Sequence, residues 1–83
     1  MNEPIPIPCG NQCIRLNGGG YIVQSIIGLG DELFSIAIQA TSEQVQAGAA
    51  ISFRAGTVKV SVEIIDFVAA DANTVLLRVR KIE

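Results

Sequence analysis

Residues 57 to 82 read TVKVSVEIIDFVAADANTVLLRVRKI, and the spacing of their apolar side chains decides the fold. Val58, Val60, Val62 and Ile64 recur at every second position, opposed by Lys59, Ser61 and Glu63. A period of two places these sets on opposite faces of an extended strand, whereas a helix would need spacings of three and four. Asp71-Ala72-Asn73 supplies turn residues, and Thr74 to Ile82 returns with Val75, Leu77 and Val79 inward and Arg78 and Arg80 outward. With the two inner faces kept together, Glu63 lies across from Arg78 or Arg80, the choice resting on register and on any bulge.

The same alternation extends backwards along the chain. Ala49 to Ala55 turns Ile51 and Phe53 inward and Ser52 and Arg54 outward, and Glu32 to Ala40 sets Phe34, Ile36 and Ile38 against Ser35, Ala37 and Gln39. Between them, Thr41-Ser42-Glu43-Gln44 has the pattern of a capping box, with Val45 aimed at the core and Gly48 past the last turn. Gln12 to Leu16 and Tyr21 to Gly28 are extended and joined through Asn17-Gly18-Gly19-Gly20, and Gly28-Leu29-Gly30-Asp31 makes the next reversal. In Tyr21 to Gly28, strict alternation puts Ile22 and Ile26 on one face and Tyr21, Val23 and Ile27 on the other. A strand apolar on both faces is either central in a closed structure or covered by a second chain. The fold class that follows is all-β, a small single-domain barrel or sandwich of about six strands with one short helical turn.

Ahead of that domain, assigned to residues 11–83, residues 1–10 form a proline-rich arm containing PIPIP at positions 4 to 8. Amides at i and i+2 of a strand point to the same edge, so Pro4, Pro6 and Pro8 remove donors from one edge only, while Ile5 and Ile7 keep theirs. Such a segment pairs on one side and refuses a neighbour on the other. It closes an open sheet edge, of its own chain or of a symmetry mate, or it is a polyproline-like tail.

An 83-residue chain holds one modest core, and 49% apolar against 17% charged residues is more than a small monomer readily hides. No apolar run is long enough for a membrane span, no secretory signal is visible, and a cytoplasmic protein is expected. A net charge of -2 offers phosphates no long-range attraction, which argues against nucleic acid, and the four aromatic residues are too dispersed to stack bases. The chain has no histidine, the commonest general base and metal ligand. Cys9 and Cys13 alone fall short of the four ligands a zinc or iron-sulfur site wants, so no metal or cofactor is implied. They are expected to be ordinary thiols, with a local disulfide as the alternative.

Asp31-Glu32 reads as a solvated loop pair. Asp66 falls in the inward register of its strand, where a charge needs a partner such as Arg54 or an oligomer contact, unless it lies beyond the barrel rim. Arg15, Arg54, Arg78 and Arg80 are the candidate grips for an anionic or nucleotide-like ligand. For Arg78 and Arg80 the plainer alternative is a solvated face paired with Glu63. Glu43-x-Val45-x-x-Gly48-x-x-Ile51-x-Phe53 is similar to part of the PilZ domains that bind cyclic dinucleotides, and Ser25-Ile26-Ile27-Gly28 matches the Ser-x-x-Gly half of their second motif. The paired arginines of the first motif are absent, Arg15 standing alone, and Val23 occupies the acidic position, so the family is not assigned.

The expected function is a non-enzymatic, self-associating structural or protein-interaction module, with Ile5, Ile7, Tyr21, Val23 and Ile27 at the interface of a homo-oligomer. A small-ligand-binding β-barrel is the alternative.

Overall fold

Short loops generate the long ladders. In the computed structural model, which describes residues 5–7, 12–16 and 18–82, the strands are β1 (Ile5–Ile7), β2 (Cys13–Leu16), β3 (Gly19–Gly30), β4 (Leu33–Gln39), β5 (Ala50–Ala55), β6 (Val58–Asp71) and β7 (Thr74–Lys81). Pro4, Pro8, Cys9 and Asn17, which enter the sequence expectations, lie outside the described residues. Leu16 pairs with Gly19, Ala55 with Val58 and Asp71 with Thr74, so two residues connect each of these hairpins. Gly18 (φ 82°) and Gly56 (φ 67°) supply the left-handed backbone that the first two loops need.

All pairings are antiparallel, in the order β1-β3-β4-β7-β6-β5, with β2 pairing β3 as well. The sheet curls into a half-barrel. Register shifts between Val23 and Ser25, Gly28 and Gly30, Ile64 and Asp66, and Ala69 and Asp71 place extra residues in the two longest strands. Such bulges bend a strand and sharpen its twist, which lets β3 and β6 wrap around the core.

Inside lie Ile14, Val23, Ile26, Ile36, Ile38, Val62, Ile64, Val75, Leu77 and Val79, each at most 3% exposed. At roughly 1.5–3 kcal/mol for each fully buried aliphatic side chain, this cluster outweighs any surface ion pair as the source of stability. Phe34 packs edge-on against Phe53, ring centroids 5.3 Å apart. The 3-10 turn Ser42–Gln44 is held by the Thr41 amide donating to Gln44 Oε1 at 2.9 Å, and buried Val45 follows it into the core.

Several expectations from strict alternation need correction. The bulge at Gln24 reverses the phase of β3, so Val23 and Ile26 both face the core while Ile22 is 53% exposed; the strand is not apolar on two equivalent faces. The bulge at Ile65 does the same in β6, turning Asp66 outward. The β3–β4 reversal sits two residues later than the glycines suggest, at Asp31-Glu32, with β3 running through to Gly30. Val58 belongs to the inward set by count but lies at the strand's end, 61% exposed. The proline arm pairs within its own chain: Ile5, Pro6 and Ile7 stand opposite Gly28, Ile27 and Ile26. β1 ends the strand order, so the donor missing at Pro6 falls on the free edge.

Candidate functional site

Strands β2 and β5 lie side by side, and no ladder joins them. The reason lies in where each spends its main chain. Ala55 and Val58 flank a two-residue loop, which makes them a hydrogen-bonded pair; counting back by twos, Ile51, Phe53 and Ala55 bond to β6 while Ala50, Ser52 and Arg54 direct theirs to the β2 side. At one end of this seam a side chain stands in for a strand. The Arg54 amide donates to Gln12 Oε1 at 2.6 Å, and Gln12 Nε2 donates to the Arg54 carbonyl at 2.7 Å.

Two adjoining depressions run along the outer surface of the seam. One, about 440 Å³, lies beside Arg15, Ala50, Ser61 and Ile82; the other, about 380 Å³, lies beside Gln12, Phe53 and Arg54. Cys13, Ser52 and Lys59 line both. Three of the chain's six basic residues, Arg15, Arg54 and Lys59, therefore border one groove, and among its described lining residues there is no carboxylate.

Arg54 and Lys59 are direct cross-strand partners on the outer face. Because the main chain of Arg54 faces Gln12, theirs is a non-hydrogen-bonded pair, the type in which side chains come closest. Like charges directly opposite destabilise a sheet. Ser52 and Ser61, the next outward pair, add hydroxyls that donate or accept.

The four candidate arginines do not share one depression. Arg15 and Arg54 reach the seam groove. Arg78 instead donates to Asp66 across β6–β7, and Arg80 stands opposite Glu63 and Leu33. Lys59 joins the site although the sequence reading assigns it only an outward face; the two-residue loop Gly56-Thr57, once recognised, pairs it with Arg54 by counting. Of the residues expected at an oligomer interface, Val23 is 3% exposed in its own core, Tyr21 and Ile7 are half-buried against that core, and Ile27 is half-buried on the outer face. Ile5 is placed only by its register opposite Gly28.

Cys13 is exposed at the groove. Among the described residues no group of three or more His, Cys, Asp or Glu side chains is arranged to hold a metal ion, and no helix is long and apolar enough to cross a membrane. Comparison with protein-family models finds no match, and comparisons with curated proteins and with solved structures find none either.

Proposed function

We propose that the protein is a non-catalytic binding module that takes an anion in the β2–β5 groove, with Arg54 and Lys59 gripping it from one wall and Arg15 from the other. The observation that supports this reading is the Arg54–Lys59 pair: two cations set opposite one another, in a chain of net charge -2, with no carboxylate among the described groove residues. An anion bound between them removes the repulsion that the free protein carries.

Calorimetric titration with tripolyphosphate, alongside urea unfolding, tests the proposal on wild type and Lys59→Glu. Binding that weakens with salt in wild type is expected. Lys59→Glu is expected to raise the urea midpoint while abolishing binding, because it turns a repulsive pair into an attractive one and cancels the site. Wild type that takes up no tripolyphosphate at millimolar concentration, or a variant that binds it unchanged, overturns the reading.

A second reading, association between copies, has support elsewhere on the outer face. Val68 and Leu76 form an outward cross-strand pair, 60% and 38% exposed, with Leu29 beside the same depression. Light scattering behind a sizing column decides it, and a strict monomer at about 100 μM would end that reading.

A further inference from the structure

On its outer face the β6–β7 ladder carries its charges in columns. Glu63 and Asp66 stand on β6, and their ladder partners Arg80 and Arg78 stand on β7, all four exposed. In the next row Val68 faces Leu76, and of the exposed large apolar side chains among the described residues these two alone are partners in a ladder. Acids on one strand thus lie in register with bases on the other, beside a matched apolar row. Within the chain that register is only partly used. The Arg78–Asp66 contact joins one guanidinium nitrogen to one carboxylate oxygen, and it is the one ion pair among the described residues, so Glu63 and Arg80 keep their charges for another partner. A guanidinium has five donors and a carboxylate two oxygens, which lets Arg78 and Asp66 take a second partner as well.

Resting on the association reading, we propose that two copies pack through these faces about a two-fold axis that runs along the strands, between β6 and β7. Rotation about such an axis keeps each row in place and exchanges the two columns. Asp66 then meets the partner's Arg78, Glu63 meets the partner's Arg80, and Val68 meets the partner's Leu76, each contact occurring twice as an isologous interface requires. This self-complementarity in charge singles out a second copy as the occupant, since an unrelated partner gives no reason for acid and base to stand in matching rows. Such an axis also aligns the strands of the two sheets, a common way for sheets to stack. The curl of the sheet fits the same geometry. It makes the outer face convex, so two such faces touch along a line parallel to their strands, and the strand pair β6–β7 is what that line meets. Beside it a depression of about 240 Å³, bordered by Leu29, Leu76 and Leu77, receives the partner's Val68.

The test follows sedimentation of the wild-type chain, of Asp66→Arg, of Arg78→Asp and of the two variants mixed in equal amounts, at about 100 μM. Wild type is expected to dimerise. Each variant alone sets like charges across the axis and is expected to associate at least about tenfold more weakly. Mixed, the two restore opposite charges in both crossing contacts, and a mixed dimer about as tight as the wild-type one is expected. Glu43→Arg, which changes the net charge as Asp66→Arg does but lies on the 3-10 turn outside the two columns, is expected to dimerise like wild type. Circular dichroism establishes that the variants are folded. Dilution of wild type followed by NMR decides the matter without any substitution: the amide signals of Asp66, Val68, Leu76 and Arg78 are expected to move with concentration. Charge variants that dimerise like wild type, a mixture of folded variants that stays monomeric, or dilution shifts confined to other residues overturn the two-fold arrangement and leave association itself standing. A wild-type chain that is monomeric at this concentration removes both the inference and the reading beneath it.

Discussion

Asp66 accepts a hydrogen bond from the Arg78 guanidinium across the β6–β7 ladder, although counting by twos from Ile64 would turn its carboxylate into the core. The extra residue at Ile65 makes the difference. It sets two residues of β6 against Val79 and brings Asp66 opposite Arg78, on the exposed face. A charge that would have needed a buried partner is instead half in water, with side-chain exposures of 53% for Asp66 and 56% for Arg78.

Exposure limits what that pair contributes. Asp66→Asn is expected to cost less than about 1 kcal/mol in urea unfolding at low ionic strength, and the cost should shrink further in molar salt. A loss of several kcal/mol, insensitive to salt, would mean that the carboxylate is structural in a way its exposure does not allow.

Neighbouring leucines on β7 are expected to behave oppositely. Leu77 is fully buried and faces Ile36 and Phe67, so Leu77→Ala should cost about 2–5 kcal/mol, a large share of a whole stability on the order of 5–15 kcal/mol. Leu76, one residue earlier and 38% exposed, should lose about 1 kcal/mol or less on the same substitution. Circular dichroism during thermal melts separates the two.

The β3–β4 turn carries strain that a substitution relieves. Asp31 and Glu32 have φ of 52° and 65°, the succession of a type I′ hairpin, whose second position favours glycine. Aspartate tolerates that region better than glutamate does. Glu32→Gly is expected to stabilise the protein by about 0.5–1 kcal/mol, a balance between relief of the left-handed backbone and the greater freedom glycine gives the unfolded chain. A lower urea midpoint for this variant would refute the account of the turn.

Gln12 fastens one end of the seam, and its loss should be felt there alone. In Gln12→Ala the Arg54 amide loses its acceptor, so its hydrogen exchange should accelerate by an order of magnitude or more, while Val62 and Val79 keep their protection. The global cost should be about 1 kcal/mol, since both bonds lie at the surface.

Much of this was legible from spacing. The inward sets of β4, β5 and β7 need only a period of two, because these strands carry no bulge in their interiors: Ile36 and Ile38, Ile51 and Phe53, and Val75, Leu77 and Val79 are buried as alternation requires, although in β4 Ala37 on the other face is buried as well and Phe34 is only half-buried. The one-sided proline arm was legible too, because a missing donor at Pro6 is a covalent fact that dictates which edge stays unpaired. The two long strands were another matter. Val23, which strict alternation sets on the face opposite Ile26, shares the core with it, and Asp66, inward by register unless it lay beyond the barrel rim, reaches the surface through an inserted residue instead.

The covalent chain by itself therefore settles that the molecule is a small antiparallel β domain, and where most hairpins turn, since alternation and loop chemistry act over a few neighbouring residues. Only the folded sheet decides that the register shifts at Gln24 and Ile65, because the extra residue of a bulge is compensated by the core that the resulting curl encloses. It alone decides the groove as well. Gln12 and Arg54 are 42 positions apart, and no local preference in either segment announces that curling will bring β2 against β5, with Arg15 and Lys59 on its banks.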